Sequence, residues 1–287
     1  MKILFATDGG AHSGIAAEML RRLADPGRVD VHVLTVNGFE FALQRAQAAG
    51  HYSADDAQAD AQHVADEAAA AFKHAGFTVD AEAIEGDEAS EILRISSERD
   101  VDLIAVGSAK ERWIDTVVLG SVSSSVVHGS SCPVLVVHET PDEDRPVKVL
   151  VGADGSEGSD RAIRTFAGFA DTARCDVTVL AVAPAVPLPP GGAAGAVIDS
   201  PDITDRALDA AKDEAGAGAG VLQEAGFRVE AKALAGVPAR VLLDTAEDGG
   251  YDLVVVGARG LGRFRAKVLG SVSDRVLRKA PASLIGR

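Results

Sequence analysis

Gly257-Ala258-Arg259-Gly260, nine further residues and then Gly270-Ser271 form a G-x2-G-x9-G-S run near the end of this 287-residue chain. The run follows an apolar stretch, Leu253 to Val256, and leads directly into a helix-like segment that begins Ser271-Val272-Ser273. A strand, a glycine loop and a helix start together make a cradle for phosphate. Glycines let backbone N–H groups approach an anion with no Cβ in the way, and the first turn of a helix leaves its N–H groups without partners. The hydroxyls of Ser271 and Ser273 add donors at that turn. Arg259, Arg263, Arg265 and Lys267 surround the loop with no acid among them, a local field that draws a polyanion.

The pattern occurs twice, because the chain is a tandem repeat. Val101-Asp-Leu-Ile-Ala-Val-Gly107 matches Tyr251-Asp-Leu-Val-Val-Val-Gly257 at an offset of 150, and Leu119-Gly120-Ser121-Val-Ser123 matches Leu269-Gly270-Ser271-Val272-Ser273. Lys2 to Gly9 matches Lys148 to Gly155 at an offset of 146, so Asp8 pairs with Asp154 and Val36 with Val182. The four extra residues of the second copy fall in the Pro, Gly and Ala tract from Pro184 to Ser200, which reads as a mobile loop. The domains are expected at 1–141 and 146–287, each long enough for its own core, with the polar Thr140-Pro-Asp-Glu-Asp-Arg-Pro146 between them. In the first copy the second loop glycine is Lys110, which adds a Cβ where a left-handed backbone is expected, and Gly10 stands where the second copy has Ser156.

The elements that must position these residues alternate. Continuous apolar runs such as Ile3 to Ala6, Val31 to Val36 and Val134 to Val137 are separated by long alanine-rich segments such as Ala54 to Ala75. Strands that are apolar on both faces need helices above and below a parallel sheet. Each copy therefore reads as βαβαβαβαβ, a doubly wound α/β domain. Ligands in such folds bind beyond the carboxyl ends of the strands, where Asp8, Asp154, Gly107 and Gly257 fall. The last strand of the second copy, Ala282-Ser-Leu-Ile285, has weaker β propensity than Val134-Leu-Val-Val137 and is expected as a short or frayed edge strand.

At this point the chain resembles the universal stress proteins, as a tandem pair. Asp154-Gly155-Ser156 after the first strand, Gly236-Val-Pro-Ala239 before the third helix and the Gly257 to Ser273 loop carry the likeness. The resemblance implies a five-stranded parallel sheet per domain, ATP binding in many members, dimerisation through the last strands and a role in stress or dormancy. It also implies the site. Gly152, Ala153 and Asp154 would lie near ribose and phosphates, and Val182 would present backbone groups to the adenine edge. Gly257, Arg259 and Gly260 would line the sugar and phosphate path, and Gly270, Ser271, Val272 and Ser273 would hold phosphates. Asp8, Val36, Gly107, Lys110, Gly120, Ser121 and Ser123 are the matching residues of a degenerate first site.

Charge favours the second site. Residues 1–145 hold 11 Lys or Arg against 25 Asp or Glu, net −14, while residues 146–287 hold 17 against 18, net −1. One ATP per chain is therefore expected, with any Mg²⁺ held by phosphates and water rather than by side chains. The net charge of −15 and the lack of a basic face speak against nucleic acid as partner. No apolar run approaches the roughly 18 residues of a membrane span and no leader pattern opens the chain, so a cytoplasmic protein is expected. Cys132 and Cys175 occupy unmatched repeat positions and read as reduced, half-buried thiols.

Two other loop classes are absent: there is no G-x4-G-K-[ST] string, and Asp154-Gly-Ser-Glu-Gly158 does not supply G-x-G-x-x-G. All seven histidines lie in the first copy, so the intact loop has no histidine base beside it and Asp154 is its one candidate catalytic group. Three functions stay open on these residues: an ATP-binding stress or signalling module, a slow ATP hydrolase of the same fold, and a structural protein that binds an unknown protein partner through its acidic half. The two copies are expected to pair as an intrachain pseudo-dimer, with homodimerisation of the chain left open.

Overall fold

The computed structural model describes residues 1–38, 53–108, 111–113, 116–140, 145–184, 201–260 and 269–287. The first half runs β1 (Lys2–Ala6), α1 (Ala11–Leu23), β2 (Asp30–Asn37), α2 (Ala54–His74), β3 (Thr78–Glu85), α3 (Glu88–Glu98), β4 (Leu103–Gly107), α4 (Ser121–Gly129) and β7 (Val134–Val137). A short antiparallel hairpin of β5 (Glu111–Trp113) and β6 (Thr116–Val118), not expected from the sequence, lies between β4 and α4. The second half repeats the plan with β8 (Val147–Ala153), α5 (Glu157–Phe169), β9 (Cys175–Pro184), α6 (Pro201–Glu224), β10 (Val229–Gly236), α7 (Pro238–Asp248), β11 (Leu253–Gly257), α8 (Ser271–Lys279) and β12 (Ala282–Gly286). This is the expected doubly wound α/β architecture in two copies.

All ten long strands form one sheet, in the order β10-β9-β8-β11-β12-β7-β4-β1-β2-β3. Within each half the neighbours are parallel, and β1 and β8 are flanked by strands from opposite directions of the winding. Strand order thus reverses beside Asp8 and Asp154, which opens a crevice at those strand ends.

Period-two alternation splits the apolar residues between two layers. Ile3 and Phe5 face a core built with Met19, Leu20 and Phe72 of α1 and α2 and with Phe166 and Ala215 of α5 and α6. Leu4 and Val254 face the opposite layer, with Ile92 and Val126 of α3 and α4 and Leu242 and Val276 of α7 and α8. Both cores run through the two halves, where the sequence suggested one closed core per domain.

The halves meet at their last strands. β12 pairs with β11 in parallel and with β7 antiparallel, placing Leu284 opposite Leu135. The expectation of a weak, frayed edge strand is therefore wrong: all five residues of β12 are buried. Small Ala282 and Ser283 suit a strand at the middle of the sheet, packed by helices on both faces, where burial outweighs intrinsic propensity. Asp25 N–H donates to Phe169 O and Asp171 N–H to Leu23 O, 2.9 and 2.7 Å, a reciprocal pair related by the repeat.

A second reciprocal contact closes the helices that follow the glycine loops. In α8 the Leu277 carbonyl would take its helical bond from Pro281, which has no N–H. His138, just beyond β7, meets that oxygen with Nε2 at 3.0 Å, while its Nδ1 lies 3.1 Å from Ser108 O. At the matching positions the Arg287 guanidinium, just beyond β12, bonds the Val127 carbonyl near the end of α4. Each half thus supplies a side chain to the carbonyl end of the other half's helix, where the last carbonyls lack partners within the helix.

Candidate functional site

Every second-half residue expected from the sequence lines a single cavity of about 740 Å³ at the carboxyl end of the sheet. Gly152, Ala153 and Asp154 come from the end of β8, Val182 from β9, and Gly257, Arg259 and Gly260 from the end of β11. Gly270, Ser271, Val272 and Ser273 come from the start of α8. Arg263, Arg265 and Lys267 lie outside the described residues.

Asp154 is set by a tight turn. Gly155 has φ +67, a left-handed conformation reserved in practice for glycine, and Gly9 repeats it at φ +72. The turn carries Ser156 to the N-cap of α5, where its hydroxyl accepts from Ser159 N–H at 3.2 Å. That hydroxyl also lies 2.6 Å from Asp154 Oδ1 and 3.2 Å from Arg259 O, so one Ser ties the acid, the helix and the glycine loop together. Asp154 Oδ2 points toward Gly260, whose Cα sits so near that a Cβ would fall 2.4 Å from it. The need for glycine at 260 is thus one of close approach. Gly260 lies outside the left-handed region, which corrects the backbone-strain reason anticipated for Lys110. Lys110 itself is outside the described residues.

Two further glycines bring the loop against α5. A Cβ on Gly257 would meet the Gly158 carbonyl carbon at 2.5 Å, and one on Gly158 would meet Arg259 O at 2.7 Å. The first helical bond of α8 is Asp274 N–H to Gly270 O, 2.9 Å, and no side chain caps the helix. The amides of Ser271, Val272 and Ser273 therefore have no acceptor within the helix, as at any helix start. Ser271 is exposed and its hydroxyl is available to an anion. The Ser273 hydroxyl is buried and donates to Ala258 O or Gly270 O, 2.8 and 3.0 Å away, so it holds the loop, while its amide stays at the helix start as expected.

The rest of the cavity is apolar. Leu180, Leu242, Val256, Leu269 and Pro238 form its wall, and sequence reasoning had singled out none of their side chains for this. Their signal was periodic apolarity, which marks core as readily as pocket. Glu214 of α6 stands near Asp154. Burial first and then the Asp154 charge push its carboxyl above the usual range. Among the described residues no three His, Cys, Asp or Glu side chains gather to hold a metal ion.

The first half has a cavity at the matching place, of about 140 Å³. Asp8, Val36 and Gly107 line it as expected, whereas Gly120, Ser121 and Ser123 do not. Asp8 Oδ1 accepts from Gly10 N–H and from the Ser13 hydroxyl, 2.8 and 2.6 Å. Ser123 donates to Ser108 Oγ or Gly120 O, 2.9 and 3.1 Å, the counterpart of the Ser273 clamp. His12, at the place of Gly158, and Glu88, at the place of Pro238, also line this cavity and were not assigned to a site from the sequence.

A strand-end crevice with glycine loop and helix start, duplicated in one sheet, defines a tandem doubly wound α/β protein. The Universal stress protein family model matches residues 1–138 and again 147–285. The chain belongs to the universal stress protein family. A universal stress protein of Mycolicibacterium smegmatis is 33% identical over 190 residues, 65% of this chain and 61% of that protein. One of Mycobacterium tuberculosis is 31% identical over 207 residues, 68% of this chain and 63% of its own length. The chain thus matches only about three fifths of these relatives' length. The crystal structure of a universal stress protein from Archaeoglobus fulgidus superposes over 100% of this chain and 98% of its own, with TM-score 0.63 at 21% identity, a likeness of fold. Among the described residues no helix is long and apolar enough to cross a membrane.

Proposed function

We propose that this chain is an ATP-binding stress-response or signalling module that holds one nucleotide per chain, in its second half. The observation that carries this reading is the difference between matched cavities, about 740 Å³ beside the intact glycine loop and about 140 Å³ in the first half. Small-molecule sites run from about 300 to 1,000 Å³, so the larger cavity is of nucleotide size and the smaller is not. Adenine would lie against Leu180, Val182, Leu242 and Pro238, ribose against Asp154, and the phosphates along Gly257, Gly260 and the amides of Ser271 and Val272. ATP brings its own chemistry of a triphosphate with a bound Mg²⁺, which its oxygens and water would hold. The module would act in the cytoplasm, as two domains, 1–141 and 146–287.

Binding is favoured over hydrolysis because Asp154 is the one carboxylate lining the cavity among the described residues and the second half has no histidine. Calorimetric titration with Mg-ATP should give a stoichiometry near one. A stoichiometry of two, or no heat at millimolar ATP, would defeat the proposal.

A further inference from the structure

We infer that Glu88 is the residue that closes the first half to nucleotide. This rests on the reading that the strand-end cavity is the nucleotide slot, and it adds a cause of asymmetry on the wall opposite the glycine loop.

Glu88 opens α3, directly after its N-cap Asp87, whose side chain accepts from Ser90 N–H at 2.9 Å. An acid in the first turn is ordinary on helix grounds, since the helix dipole favours it there. Its side chain does not run along the surface. The carboxylate folds back over the end of β2, where a Cβ placed on Gly38 would meet Oε1 at 2.2 Å, Cδ at 2.4 Å and Oε2 at 2.9 Å. Oε1 is buried and has no hydrogen-bond partner. Gly38 lies two residues past Val36, the counterpart of Val182, so the carboxylate occupies the place where the second half would take the adenine edge.

In the second half the residues matching Gly38 and Glu88 are Pro184 and Pro238, so this corner carries no charge there. The contrast decides what can enter. A purine pressed into the first cavity must either expel the Glu88 side chain or lie against a carboxylate already short of a donor. At that edge adenine sets the ring acceptor N1 beside its one amino donor, so a carboxylate there meets the amino group at best and faces an acceptor as well.

The test is Glu88→Pro, which copies Pro238 and places proline at the first helical position, where it is well tolerated. Glu88→Ala serves as a second variant should the proline disturb folding, and Glu88→Gln keeps the bulk while removing the charge. Mg-ATP titrations of wild type and variants give the stoichiometry. Trp113, the single tryptophan, lies in the first half of the sequence, and its quenching by a trinitrophenyl-ATP analogue is followed alongside. Expected is a rise from one site to two in Glu88→Pro and Glu88→Ala, with first-half affinity at least tenfold above wild type and quenching of Trp113. An unchanged stoichiometry with no change at Trp113 would overturn the role of Glu88 while leaving ATP in the second half. A wild type that binds none and a variant that binds one would uphold Glu88 and overturn the proposed function instead. No binding by either protein would overturn both.

Discussion

Gly260→Ala is the sharpest perturbation of the second-half site, because it adds one methyl and nothing else. On the present backbone that methyl would stand 2.4 Å from Asp154 Oδ2, far inside a contact distance of about 3.5 Å. Gly260 is not left-handed, so backbone strain contributes nothing and the whole effect passes through the carboxylate. To make room Asp154 must turn and release Oδ1 from the Ser156 hydroxyl and amide, now 2.6 and 3.1 Å away. A hydrogen bond to a charged group is worth about 1.5–3 kcal/mol, and about 1.4 kcal/mol is tenfold in affinity. A turned carboxylate no longer meets the ribose, and losing that one charged hydrogen bond weakens ATP binding by roughly tenfold to a hundredfold. Gly260→Lys, which reproduces Lys110, should cost at least as much. Calorimetric titration of both variants reads the loss directly, and a cycle with Asp154→Ala isolates its cause. In the Asp154→Ala background the added methyl meets no carboxylate, so Gly260→Ala should cost little there. Wild-type affinity in Gly260→Ala, or an undiminished cost without Asp154, would refute the close-approach account.

Glu214→Gln is expected to raise the melting temperature at pH 7 to 8. The folded-state pKa of Glu214 is raised by burial and by Asp154, so its ionisation opposes folding above its ordinary pKa. The advantage of the variant should fade as pH falls through the folded pKa and vanish below the unfolded one, and equal melting points at pH 8 would contradict it. His138→Phe should destabilise the chain by about 1–3 kcal/mol in denaturant titration, by leaving the Leu277 carbonyl without a donor. An unchanged midpoint would show that cross-capping of α8 is idle. Cys175, whose thiol burial pushes up to about 12, should resist a thiol reagent at pH 8 until the protein unfolds. Rapid labelling of both cysteines in the native state would contradict that burial. Asp154→Asn should abolish any slow ATP turnover while Ser271→Ala mainly weakens binding, as turnover and titration of both variants would show.

The repeat, the order of elements and the cradle were legible in the sequence because each is encoded locally. Continuous apolar runs report two-sided burial, and Asp154-Gly155, Gly257, Gly260 and Gly270 are fixed by turns, helix starts and close approaches that other residue types fit poorly. The fate of the last strand was not legible. Ala282 and Ser283 have low intrinsic strand preference, yet β12 is fully buried because β7 of the other half covers its free side, and no local property of the segment registers that neighbour. The same holds for Ser273, whose hydroxyl looks like a phosphate donor in the motif and is spent on Ala258 and Gly270 once the loop folds over it. Glu88 is the clearest case. In sequence it is an ordinary first-turn acid, and only the packing of α3 against the end of β2 turns its carboxylate over Gly38 and into the first cavity. Which residues come together as the glycine cradle was set by their types and spacing; which of two matched cavities has room was set by a contact between segments fifty residues apart, where side-chain direction and burial, rather than residue type, decide.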